Sequence, residues 1–144
     1  MNYWLFKSEP YKYSWDDMVA HGTDHWDGIR NYQARNNMRQ MQVGDLGFFY
    51  HSNEGLAVVG IVEVARTTYP DHTFEEEEKF KKTGKNPWEM VDVKAIRPLH
   101  HPVTLKAIKA NLTLQEMALV KSQRLSVQPV TPAEWAEVLR MAGE

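Results

Sequence analysis

The stretch LAVVGIVEVARTTY, Leu56 to Tyr69, constrains the fold more than any other part of the chain. Valine and isoleucine suit the pleated surface of a strand, and here they fill both alternating sets of positions. Plain alternation puts Val58, Val62 and Val64 on one face and Val59 and Ile61 on the other. A strand that is apolar on both faces must be covered on both. It therefore runs through the middle of a sheet or barrel rather than along an edge.

The neighbouring segments supply the cover. Leu46 to Ser52 is a second strand, joined to the first by the turn Asn53-Glu54-Gly55. Tyr3 to Lys7 is a short aromatic strand closed by Ser8-Glu9-Pro10. Trp88 to Leu99 alternates through Val91, Val93 and Ala95, and Arg124 to Val130 forms a last strand. Helices open at recognisable caps: Ser14 with Asp17, Asn31 ahead of Tyr32 to about Gln42, and Thr131-Pro132 with Glu134. Two further helical segments lie at Thr104 to Ala110 and Thr113 to Val120, while His21 to Arg30, with Gly22 and Gly28, reads as a loop. On the second helix Ala34, Met38 and Met41 form a buried stripe and Arg35 and Arg39 a separate basic one. Pro70 to Pro87, rich in Glu and Lys, reads as a solvated helical or loop insertion. About five short strands with helices in the connections predict one α+β domain over residues 1–144, built as a small closed barrel.

Several chemistries lack their residues. The chain has no cysteine, which excludes disulfides and thiolate metal sites and fits a reducing cytoplasm, the expected location. No signal-peptide core opens the chain and no apolar run approaches the ~20 residues of a membrane span. Membrane partners are therefore not expected, and the polar balance suits a monomer. Of the histidines, His21 and His25 have helical spacing but Gly22 lies between them, and His100-His101 are neighbours that point apart. With no HExxH, no GxSxG and no phosphate-loop glycine pattern, no metal, cofactor or catalytic nucleophile is expected. The net charge of −2 means that any surface for a polyanion must be local.

One such locality stands out. WDGIRNYQARN, Trp26 to Asn36, gathers an aromatic ring, amides and guanidinium groups, and no acid lies between Asp27 and Asp45 while Arg30, Arg35 and Arg39 do. An aromatic face flanked by amide and guanidinium donors suits an unpaired base. The start of a helix at Asn31 suits a phosphate. Trp26 reads equally well as a plug over one end of the barrel. The strand GFFYHSN leaves His51 and Ser52 at its end, and RLSVQP puts Ser126 and Gln128 on one face. Polar groups buried there need partners, either a ligand or water.

YWLFKSEP, WDGIRNYQARN, GFFYHSN, YPDHT, NPW, VDV and SQRLSVQPVT, in that order, resemble the EVE domain family, with bacterial stand-alone members. The resemblance spans nearly the whole chain. It implies a PUA-like fold, a small pseudo-β-barrel of about five or six strands with helices in the connections. It also implies a pocket for a modified base in DNA or RNA, modified cytosine in DNA being the one linked to EVE domains. Carried onto this chain, the aromatic walls would be Trp26 and either Tyr50 or Trp4. The edge-reading residues would be Ser8, Asn31, Gln33, His51, Ser52, Ser126 and Gln128. Arg30, Arg35 and Arg124, with Arg39 of the basic stripe, would meet phosphates. The Glu/Lys-rich segment before NPW matches no family motif. The expectation is a non-enzymatic reader that accepts a flipped or unpaired modified base. Two alternatives stand beside it. One is a hydrolase of a modified nucleoside using Lys7 and Glu9, as in ASCH relatives of the same barrel. The other is a regulator that binds a small metabolite.

Overall fold

The computed structural model describes residues 1–144. The strands are β1 (Tyr3–Ser8), β2 (Thr23–Trp26), β3 (Leu46–His51), β4 (Ala57–Pro70), β5 (Glu89–Thr104) and β6 (Val127–Val130). The helices are α1 (Trp15–His21), α2 (Tyr32–Arg39), α3 (Glu78–Thr83), α4 (Leu105–Ala110), α5 (Ala118–Lys121) and α6 (Pro132–Met141). Single 3-10 turns lie at His72–Glu76 and Leu112–Leu114.

The valine-rich strand is central, as its composition demands: β4 pairs antiparallel with β3 on one side and β5 on the other. The sheet order is β2-β5-β4-β3-β1-β6, with β1 and β3 parallel and every other pair antiparallel. The barrel does not close by hydrogen bonds, because β2 and β6 remain edges. Helix α2 instead packs against β4, β5 and β6 and covers one face, which makes the structure a pseudo-barrel.

Two cores sandwich the sheet. Trp4, Phe6, Trp15, Trp26, Phe49, Val62 and the α2 residues Ala34 and Met38 fill one. Leu5, Phe48, Tyr50, Val58, Ile61 and residues of α4 and α6 fill the other. Plain alternation misplaces two valines. Val58 joins Ile61, and Val59 packs with Val62 and Val64. The cause is the irregularity at Val58/Gly60, where pairing with both β3 and β5 skips Val59 and the alternation is reset once. Gly60 sits at this irregularity because a Cβ there would lie 2.6 Å from three ring carbons of Trp15.

Other boundaries moved for tertiary reasons. Thr23–Trp26 is a strand rather than a loop: Gly22, at φ 75°, ends α1, and the chain then pairs with the free edge of β5. Strand β5 continues to Thr104, so its second half and the start of α4 flank Leu56. The segment Thr113 to Val120 breaks into a 3-10 turn and the single turn of α5, and the last strand begins only at Val127. Between them, the backbone from Lys121 to Ser126 loops across one end of the sheet.

Candidate functional site

At that end lies a cavity of about 520 Å³. The end of β1 supplies Lys7, the turn after it Glu9, and β2 supplies Asp24, His25 and Trp26. A tight turn after β1 folds Tyr13 back over it: the amides of Lys12 and Tyr13 both donate to the Glu9 carbonyl at 2.9 Å, and the Ser8 hydroxyl donates to the Tyr13 carbonyl. Ser126, just before β6, and the Asp27-Gly28-Ile29 loop complete the lining.

The cavity has an apolar floor and a polar rim. Trp26 is the floor: it is 8% exposed and meets Phe6, Phe49 and Tyr13 edge-on at ring distances of 5.3, 5.7 and 6.3 Å. Tyr13 donates its hydroxyl to Asp24 Oδ2 at 2.8 Å. Burial, reinforced by the Asp24 carboxylate, pushes the Tyr13 phenol far above its ordinary pKa, so it stays a donor. The other Asp24 oxygen accepts from the His25 amide at 2.8 Å. Lys7 Nζ donates to the Gln123 carbonyl at 2.6 Å, and burial holds its pKa below the ordinary lysine value. Glu9 pairs with Lys12 at 3.3 Å. Donors and acceptors thus alternate around one apolar floor, which is what the edge and face of a heterocycle require.

The loop beneath the cavity is fastened from a distance. Asp71, fully buried, accepts from the Gly28 amide at 2.9 Å and from Arg30 Nη1 at 3.1 Å. Arg30 also binds Glu77 Oε2 at 2.7 Å and lies over the rings of Phe74 and Trp88. The Glu/Lys-rich segment is therefore partly structural: its first turn carries the acids that hold the WDGIR loop.

The fourteen residues singled out from the sequence are scattered by the fold. Trp26 and Ser126 line the cavity. Asn31, Gln33 and Arg124 lie together in an adjoining hollow, and Asn31 caps α2 by accepting the Ala34 amide at 2.9 Å. Tyr50 and Ser52 line another hollow beyond Lys7. The rest are occupied by the protein itself. Trp4 lies away from the cavity, its indole N–H donated to Asp45 Oδ2 at 3.0 Å. Ser8 is spent on the turn. His51 Nε2 accepts the Trp15 amide at 3.0 Å, and burial lowers its pKa, so the ring is neutral where it anchors α1. Gln128 is fully buried and donates to the carbonyls of Ala118, Ser122 and Leu125, which brackets the 118–125 segment. Arg30 is taken by Asp71 and Glu77, Arg35 by the Pro87 carbonyl and Asn36, and Arg39 by Glu89. Both arginines of the stripe thus have partners within the chain. Sequence reading missed Lys12, Tyr13, Asp24 and His25, although the Ser-Glu-Pro turn signalled that the chain doubles back there. No group of three or more histidines or carboxylates is arranged to hold a metal ion.

A six-stranded pseudo-barrel with helices in its connections, open at one end to a cavity with an aromatic floor, defines a PUA-like domain. The chain belongs to the EVE domain family, whose model matches residues 2–141. It is 38% identical to chicken (Gallus gallus) thymocyte nuclear protein 1, across 99% of this chain and 69% of that one. Among solved structures, a protein from Agrobacterium tumefaciens is 55% identical with a TM-score of 0.92, covering 99% of this chain and 94% of its own. Human THYN1 protein in complex with 5-methylcytosine containing DNA is 35% identical with a TM-score of 0.94, covering 100% of this chain and 99% of its own. An ASCH protein from Zymomonas mobilis, at 9% identity and a TM-score of 0.55, shares the fold alone.

Proposed function

We propose that this protein binds DNA carrying a modified base, probing a base that has left the stack in the cavity over Trp26. The cavity carries the reading: its volume of about 520 Å³ lies in the range of small-ligand sites, and it combines an aromatic floor with donors and acceptors. The likeness over the full chain to human THYN1 protein, solved with 5-methylcytosine containing DNA, supports it. In this reading Trp26 and Tyr13 contact the face of the base, and Lys7, Asp24 and Ser126 read its edge. Asn31, Gln33 and Arg124 meet the flanking nucleotides. Ser8, His51 and Gln128 hold the turn, helix α1 and the 118–125 segment around the cavity, and Trp4 is a core residue. Unstacking costs a few kcal/mol, which contacts inside the cavity offset.

The test is a titration of short oligonucleotides carrying one 5-methylcytosine or plain cytosine, in DNA and RNA forms, against wild type, Ser126→Ala and Asp24→Asn. The expected result is tighter binding of modified DNA and loss of that preference in Asp24→Asn. Equal affinity for modified and plain DNA in the wild type would refute the reading, and a preference confined to RNA would redirect it.

One observation favours the hydrolase alternative. Lys7 and Glu9 do enter the same cavity, and the Lys7 ammonium is destabilised by burial. Each is paired elsewhere, however: Lys7 with the Gln123 carbonyl and Glu9 with Lys12. Release of product from acetylated cytidine, abolished in Lys7→Gln, would establish hydrolysis; no product after prolonged incubation leaves the reader.

A further inference from the structure

Three hollows join end to end beside the base cavity. The first lies between the start of α2 and the 121–125 loop. Gln123 passes it into the second, and Leu56, Leu105 and Lys109 pass the second into the third, at the start of α4. The base cavity branches off the middle one at Lys7, a residue of both. The hollows thus lie in series along one side of the molecule, as the segments of a single groove would, and the base cavity meets them at Lys7.

The charges are sorted between groove and pocket. Lys7, Lys106, Lys109, Lys121 and Arg124 line the groove, and no aspartate or glutamate lines any part of it. In a chain of net charge −2 this is a pronounced local excess. Lys106, Lys109 and Arg124 form no ion pair, and Lys121 pairs only with the exposed Glu116, an exchangeable surface contact. The side pocket carries Glu9, Asp24 and Asp27 beside Lys7 and Lys12, a mixed lining that attracts a phosphate less than the groove does while admitting a neutral base.

We infer that the backbone of the bound DNA lies along the groove from Arg124 to Lys106, with the probed base turned off it past Lys7. This rests on the proposed reading of the pocket. It moves the phosphate contacts from the arginines of WDGIRNYQARN, which are engaged internally, to the α4–α5 side of the molecule. Leu56 and Leu105 give the groove an apolar wall for the sugars.

The experiment measures affinity against salt concentration for a short DNA oligonucleotide with and without one 5-methylcytosine. It compares wild type, Lys109→Gln/Arg124→Gln, and Arg35→Gln/Arg39→Gln. Each lost phosphate contact flattens the log–log salt slope by about 0.7–0.9, so the groove variant should lose roughly 1.4–1.8. It should weaken modified and plain DNA equally and keep their ratio, while Arg35→Gln/Arg39→Gln keeps the wild-type slope. Since Lys109 and Arg124 are exposed and unpaired, the groove variant should melt as the wild type does. An unchanged slope in it, a flattened slope in Arg35→Gln/Arg39→Gln, or a wild type that binds neither DNA overturns the groove. A wild type without base preference, whose slope still falls in the groove variant, overturns the pocket reading and keeps the groove.

Discussion

Asp71 fastens the floor of the base cavity to the rest of the chain, and replacing it with alanine measures how much that fastening contributes. Its buried carboxylate accepts from the amides of Gly28 at 2.9 Å and Thr73 at 2.8 Å, from the Thr73 hydroxyl and from Arg30 at 3.1 Å. A hydrogen bond to a charged group contributes about 1.5–3 kcal/mol. Four at the low end amount to ~6 kcal/mol, offset by the several kcal/mol spent in desolvating the carboxylate. Gly28 is exposed enough for its amide to turn to water, and Arg30 keeps Glu77 at 2.7 Å. The balance for Asp71→Ala is a loss of about 3 kcal/mol, the low end of the range for breaking a buried pair. Urea unfolding at neutral pH followed by tryptophan fluorescence reads this directly. Glu77→Gln is the internal comparison: its side chain is 46% exposed, and it should lose less than about 1 kcal/mol.

The pH dependence gives the same reasoning a second exposure to failure. Burial pushes the Asp71 carboxyl up, but the bonds from Thr73, Gly28 and Arg30 outweigh it and hold the pKa below the usual carboxylate value. A depressed carboxylate stabilises the fold above its unfolded pKa of about 3.9 and loses that contribution as pH falls through its lower folded value. The gap between wild type and Asp71→Ala should therefore be full at neutral pH and narrow below about pH 4. A loss under about 1 kcal/mol, or an equal loss in Glu77→Gln, would show that the cluster is an ordinary surface network and refute the fastening.

Gly60→Ala drives a methyl into the Trp15 ring, 2.6 Å from its carbons, and should cost about 1–3 kcal/mol by thermal or urea unfolding. His51 must stay neutral to accept the Trp15 amide, and burial lowers its pKa. Its contribution is full above the unfolded value of about 6.5 and is lost as pH falls below it, a loss that His51→Gln should reduce in urea midpoints compared at pH 7.5 and about 5.5. Trp26→Ala removes a core ring as well as the floor of the proposed base site and should cost about 3–5 kcal/mol. Trp26→Phe keeps the floor apolar, and oligonucleotide titration of that variant isolates the indole's share of base binding.

The local signals were legible where their partners lie within a few residues. The caps at Ser14, Asn31 and Thr131 form as their side chains predict, each accepting an amide three positions on. Ala34 and Met38 are buried as their helical spacing predicts, whereas α2 ends at Arg39, short of Gln42, and Met41 is buried beyond it. For the site, the sequence marked words that reach the cavity, and the fold pairs several of their side chains elsewhere. Arg30, Arg35 and Arg39 look free in a stretch without acids, yet their partners Asp71, Glu77, Pro87 and Glu89 stand 41 to 52 positions away. Tyr13 and Asp24 looked unrelated, and meet only because Gly22 turns the chain back along β5.

What the sequence alone determined, then, is a domain built on a central β4, its helix starts and its membership of the EVE family, since these follow from composition, short-range hydrogen bonding and ordered motifs. What only the tertiary structure decided is which side chains are left over. The register shifts in β4, the neutral His51 under α1, the bracket of Gln128 and the acid-free groove from Arg124 to Lys106 all depend on distant segments meeting. A ligand can use only the contacts that the fold leaves a side chain free to make, and that remainder is fixed in three dimensions.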